Sequence, residues 1–148
     1  MIRIIAACSW IVISFGAVSD ESMIRAYLDK HQPDGWGPGF VIDTELGNLH
    51  GEVDTLVVLY TYTIGSEQDR NHWQYLVAFD PRGGTTYKPT RWLLVGGGGQ
   101  YFEKIKIENQ FITLSGMKHM PGDNACCPSA KTSVEFIYTN GQLVARGR

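Results

Sequence analysis

The sequence predicts a mainly β fold, an antiparallel sheet, sandwich or meander preceded by one short N-terminal helix. Three observations carry that expectation. Apolar residues make up 43% and charged residues 19% of the chain, so a packed core is available and a long disordered tail is disfavoured. Glycine is abundant, with 17 in 148 residues, which marks a turn-rich chain. Short runs of β-branched and aromatic residues also recur between clusters of Gly, Asn, Asp and Pro. The length suits a single domain.

Residues 1–19 read as a signal peptide and residues 20–148 as one exported β-rich domain. Met1-Ile2-Arg3 supplies a basic start, Ile4 to Ala17 a mostly apolar run, and Ala17-Val18-Ser19 small residues for cleavage near Ser19. The run is short for a bilayer span, which weighs against an uncleaved anchor. It also continues past Cys8, which weighs against a lipid-modified cysteine despite the lipobox-like Ile5-Ala6-Ala7-Cys8. Cleavage removes Arg3 alone among charged residues. Thirteen Lys and Arg against fifteen Asp and Glu become twelve against fifteen, and the net charge moves from −2 to −3. The expected protein is periplasmic or secreted, has no membrane span after cleavage, and retains Cys126 and Cys127 as its cysteines.

Each element has its own local reason. Asp20 or Ser22 can cap a helix to about residue 31, with Met23, Ile24, Tyr27 and Leu28 on its apolar face. Pro33 and the segment Asp34-Gly35-Trp36-Gly37-Pro38-Gly39 end it. Phe40-Val41-Ile42 is a short strand. Val53 to Ile64 is apolar on both faces, which predicts a central strand. Trp73 to Phe79 follows, closed by Asp80-Pro81-Arg82-Gly83-Gly84; then Trp92 to Val95, ahead of four glycines. Ile105 and Ile107 alternate with lysines, and Glu108-Asn109-Gln110 turns the chain into Phe111 to Leu114. Val134 to Tyr138 and Leu143-Val144 form a hairpin through Asn140-Gly141, a pair suited to the positive φ values of a type I′ turn.

Several functions are disfavoured. No basic block exists to neutralise phosphates, so nucleic acid is not an expected partner. Gly96 to Gly99 lack the Lys-Ser/Thr ending and following helix of a phosphate loop, so a mobile loop or a close backbone approach is expected there. The four histidines are scattered, with neither a Gly-x-Ser-x-Gly elbow nor a His-Glu-x-x-His motif. Asp43/Glu45 and Glu52/Asp54 match ordinary solvated loop charges. No catalytic residue and no cofactor is expected.

Three constellations remain. Cys126-Cys127-Pro128-Ser129 can carry a vicinal disulfide in an oxidising compartment, two free thiols or an intermolecular bridge. Its spacing is not the Cys-x-x-Cys of redox catalysts. Met117, His119, Met120, Cys126 and Cys127 are soft donors of the kind that suits Cu(I), without a zinc spacing. Trp36, Trp73, Trp92 and Tyr101, with Tyr75, are candidates for an aromatic recognition surface on loops, set against ordinary packing within a sheet.

The segment Glu45-Leu46-Gly47-Asn48-Leu49-His50-Gly51-Glu52-Val53-Asp54, running into Leu56 to Tyr60, resembles a degenerate D-x-N-x-D-G-x-x-D loop of exported bacterial β domains. Tyr75 to Phe79, Val95-Gly96-Gly97, Ile105-Lys106-Ile107 and Cys126-Cys127-Pro128-Ser129 follow in the same order. The last is similar to the tail of LppP/LprE-like lipoprotein families. Some related β domains inhibit cell-wall-degrading enzymes in the periplasm. Registered from Asp54, the first, third and fifth loop positions are Leu46, Asn48 and His50. Two of these lack a suitable oxygen, so calcium is not expected. The resemblance implies an exported, non-enzymatic binding protein whose partner is a protein or cell-envelope component, with an inhibitor or immunity protein as its specific form. The alternative is a metal- or redox-linked periplasmic protein centred on Cys126 and Cys127.

Overall fold

The computed structural model describes residues 17–51, 53–64, 71–81 and 87–147. The chain divides into two compact units, Met1–His31 and Gln32–Arg148. In the first, helix α1 (Ala17–His31) begins earlier than a cap at Asp20 or Ser22 requires. Asp20 instead occupies the first turn, where its carboxylate faces the positive end of the helix dipole. The expected cleavage point after Ser19 falls in that turn, and residues 1–16 of the expected signal peptide lie outside the described residues. Ile24, Tyr27 and Leu28 form its buried stripe. At the other end the His31 ring stacks on Tyr27 at 4.2 Å, and its Nδ1 donates to the Tyr27 carbonyl at 2.8 Å.

The second unit is mainly β, with two antiparallel sheets. Sheet A joins β1 (Gly39–Asn48), β2 (Asp54–Ile64) and β3 (Asn71–Asp80) in chain order. The far edge of β3 is shared by β4 (Lys88–Pro89), opposite Phe79 and Asp80, and β5 (Leu93–Gly96), opposite Gln74 to Leu76. Sheet B is the meander β6 (Gln100–Glu108), β7 (Phe111–Lys118), β8 (Ala130–Thr139) and β9 (Gln142–Ala145). Both faces of β2 are buried along Leu56 to Tyr60, as its continuous apolar run and central place require. Val57, Leu59, Leu76 and Ala78 of sheet A meet Phe102, Ile105, Ile112, Leu114, Phe136 and Leu143 of sheet B in one core. Each fully buried side chain of this size contributes roughly 1.5–3 kcal/mol.

Two tight hairpins, β6–β7 and β8–β9, turn through left-handed backbone. Asn140 and Gly141 have φ of 50° and 75°, and Asn109 and Gln110 have 49° and 67°. β1 is longer than the predicted Phe40 to Ile42. Asp43, Glu45 and Asn48 give it a polar edge that hides its length in the sequence, while a bulge between Val41 and Asp43 shifts its register. The segment that resembles a D-x-N-x-D-G-x-x-D loop is the end of β1 and its hairpin to β2. Asn48 pairs with Asp54, and Asn48 Oδ1 accepts the Gly51 N–H at 2.6 Å.

Polar side chains, rather than a shared ladder, tie the two sheets. The Gln74 amide donates to the Phe102 carbonyl at 2.7 Å and accepts the Phe102 N–H at 2.6 Å, imitating a strand partner for β6. Asp43 Oδ2 accepts the Ile105 N–H at 2.8 Å on the same edge. Near the other end of β3, Tyr138 donates to Asp80 Oδ2 at 2.6 Å.

Candidate functional site

The chain passes from sheet A to sheet B at Gly96 to Gly99, and only glycine suits that corner. A Cβ on Gly96 would collide with the Gln74 amide, and one on Gly97 would lie 2.6 Å from the Trp73 ring. Gly97, Gly98 and Gly99 have φ of 131°, 63° and 95°, the left-handed region that L side chains rarely adopt. The glycine run is thus a close backbone approach. The Gly97 N–H donates to the Gln100 carbonyl at 2.8 Å, which makes the corner a tight turn.

The loop from β7 to β8 rises beside this corner. Its His119 N–H donates to the Gly99 carbonyl at 2.7 Å. Asp123 closes the loop on itself: Oδ2 accepts the Met120 N–H at 2.7 Å, the Ser129 N–H at 2.9 Å and the Ser129 hydroxyl at 3.0 Å. The Met120 amide, then the Ser129 bonds, hold this carboxyl below its ordinary range. Cys126 and Cys127 ride on the closed loop, exposed, with sulfurs at disulfide-bonding distance and Cα atoms 3.8 Å apart. A Cys127 N–H bond to the Asn124 carbonyl at 2.9 Å fixes the turn that carries them.

Between corner and loop lies an open cleft of about 390 Å³, lined by Trp73, Gly97 to Tyr101, His119, Ala125, Cys126 and Pro128. The cleft unites two of the four candidate aromatics. It also corrects their expected placement on loops, since Trp73 belongs to β3 and Tyr101 to β6. The other two stand apart. Trp36 meets Tyr62 edge-on at 6.4 Å, and Trp92 meets Tyr75 edge-on at 5.3 Å. With Tyr60 stacked on Tyr75 at 5.5 Å, they flank a ring cluster across β2 and β3. Burial there pushes the Tyr75 phenol above its ordinary value.

The five soft donors are also separated. His119 and Cys126 line the cleft, whereas Met117 is half-buried in β7 opposite Tyr101, and Met120 is 45% exposed in the loop. Among the described residues no three His, Cys, Asp or Glu side chains gather as metal ligands. A bridged pair of sulfurs has no thiolate to offer a metal, so bridge and metal are exclusive states.

A second polar cluster, missed in the sequence, lies at the opposite end of β3. His50 Nε2 is 3.1 Å from the Thr55 hydroxyl and 3.8 Å from Asp80 Oδ1, beside the Tyr138–Asp80 bond. Hydroxyl and carboxylate face the same imidazole nitrogen, so the ring cannot pass a proton from one to the other as a nucleophile–base–carboxylate relay requires. The arrangement satisfies buried polar atoms. Gln74 was likewise illegible, because its partner Phe102 lies 28 residues away in sequence; Asp123 bonds Met120 and Ser129, three and six residues away, within one loop.

Fold and site together define a two-sheet antiparallel β domain with a cleft at one sheet-to-sheet corner, lined by Trp73 and Tyr101 and without a charged group among its described lining residues. No family model, curated protein or solved structure matches the chain. Among the described residues no helix is long and apolar enough to cross a membrane.

Proposed function

We propose that this chain is an exported, non-enzymatic binding module of the cell envelope, and that it engages its partner through the corner end of the β domain. An inhibitor or immunity protein against an envelope-acting enzyme is the form to test first. The supporting observation is the cleft: Trp73 and Tyr101 stand beside a glycine backbone and an Asp123-closed loop, all at one edge of a rigid scaffold. Aromatic side chains held on rigid elements give contact area at a small loss of conformational freedom. The test is capture from an envelope extract by the full chain and by Tyr101→Ala. A stoichiometric enzyme partner retained by the first and lost by the second is expected. Failure of capture across a range of salt concentrations overturns the reading.

A redox-linked role is the second reading, favoured by the exposure and bonding distance of Cys126 and Cys127. Intact-mass measurement separates it from a metal role. A loss of two hydrogens marks the bridge, and bound copper or zinc marks the metal.

A further inference from the structure

The lining of the corner cleft combines two properties that together specify a ligand chemistry. First, among its described lining residues there is no carboxylate, ammonium or guanidinium group, and His119 is the one imidazole. The nearest loop carboxylate, Asp123, is turned into its own loop by bonds to Met120 and Ser129. A ligand recognised through formal charge would find no counter-charge among these described residues. Second, apolar and hydrogen-bonding residues lie side by side: Trp73, Tyr101, Cys126 and Pro128 adjoin Gln100, His119 and the glycine corner, with the Trp73 ring against Gly97.

That pattern matches a neutral sugar ring, which presents a C–H face to aromatic rings and a rim of hydroxyls to amides and imidazole. The volume of about 390 Å³ lies at the low end of the range of roughly 300–1,000 Å³ typical of small-ligand sites. The walls are also fixed before any ligand arrives. Gly97 is seated against Trp73, and the His119 N–H bond to Gly99 holds the loop at the corner. Preorganisation of this kind lowers the ordering cost of binding.

We infer that the corner cleft is a binding subsite for an uncharged saccharide unit, such as an N-acetylated amino sugar of an envelope glycan. The inference rests on the reading of the corner as the binding end and deepens it by naming the ligand class. In this arrangement Trp73 and Tyr101 carry the sugar face, Gln100 and His119 bond its hydroxyl or acetamido groups, and Cys126 shapes the outer wall.

The test is a nuclear magnetic resonance titration of the full chain with chito-tetraose, a neutral N-acetylglucosamine oligomer, and with a tetramer of galacturonic acid as the charged comparator. The expected result is saturable shifts confined to the Gly97–Tyr101 and His119–Pro128 amides with chito-tetraose, and none with the uronate. Tyr101→Ala should weaken binding about tenfold, and Gln100→Ala, which removes no ring, should weaken it several-fold with near-ultraviolet circular dichroism unchanged. Absence of shifts at 10 mM, equal response to the uronate, shifts located elsewhere, or full affinity in both variants would each overturn the inference. If Tyr101→Ala loses an envelope enzyme while chito-tetraose gives no shift, the saccharide subsite fails and the binding module stands. If neither ligand nor partner is retained by the full chain, both fail.

Discussion

The two ends of β3 solve the same problem in opposite ways. Both must join sheet A to sheet B where no ladder connects them. At the Asp80 end the join is made of buried side chains: Tyr138 on one carboxylate oxygen, with His50 and Thr55 beside it. At the Trp73 end it is made of backbone, a glycine corner pressed against a ring, with the Gln74 amide just inside. The side-chain join sits beneath an open pocket of about 500 Å³ whose lining includes Asp80, Lys88, Thr90 and Tyr138. A backbone join leaves a recess beside it, because glycines cannot fill what they border. The difference puts a pocket with charged walls at one end and a cleft without a charged group among its described lining residues at the other.

Substitutions at the two ends break or sharpen the comparison. The largest effect is expected at the Asp80 end. Asp80→Ala removes the carboxylate that accepts from the Tyr138 hydroxyl and lies 3.8 Å from His50, and a hydrogen bond to a charged group is worth about 1.5–3 kcal/mol. Urea unfolding should therefore report a loss of about 3 kcal/mol, with any corner ligand still bound. Gln74→Ala should come next. It leaves the Phe102 N–H and carbonyl without their side-chain partner, for about 2 kcal/mol by the same measurement.

Gly97→Ala should have a smaller thermodynamic and larger local effect. An L residue at φ 131° is strained by about 1–3 kcal/mol, and its Cβ meets the Trp73 ring. A shift in tryptophan emission without a change in the Asp80 end is the expected signature, read by fluorescence and by the Tyr138 resonances.

The smallest effect concerns acid. The carboxyl of Asp123 titrates below its ordinary range in the folded loop, first because of the Met120 amide and then Ser129. The stabilisation it gives the loop is therefore fully present above the unfolded carboxyl value of about 3.9. It is lost as pH falls through the lowered folded value. The protection of the Met120 and Ser129 amides, taken relative to the intrinsic exchange rate at each pH, should be kept at pH 5 and lost only in stronger acid. Asp123→Asn, with a weaker acceptor, should raise exchange at both amides at every pH while leaving the urea midpoint in place.

The β content was legible because short-range signals agreed with one another. The Val53 to Ile64 run lacked alternation, and β2 is buried on both faces; Asn140-Gly141 announced its turn, and the turn has the required φ values. β1 was underread because its inward and outward residues do not alternate cleanly past the bulge at Asp43. The site was legible in pieces. Trp73, Tyr101, His119 and Cys126 each stood out as residues, yet belonged to different candidate groups. Their meeting depends on a corner that folds β5 back over β3 and on a loop closed by Asp123, and no periodicity encodes either. Trp36 and Trp92 show the converse: aromatic identity alone selected them, and ring packing against Tyr62 and Tyr75 accounts for them.

The outer margin of sheet A carries one more consequence. Between β4 and β5 the Thr90 N–H donates to the Ala78 carbonyl at 2.8 Å, and its hydroxyl accepts the Ala78 N–H at 3.0 Å. One residue thus supplies, from its main chain and its side chain, both contacts that a neighbouring strand would make. Pro89 beside it has no N–H to extend a ladder. The margin is therefore a poor template for a foreign strand. Two molecules that meet at this stretch find no continuous row of donors and acceptors to share, and it is guarded against edge-to-edge pairing.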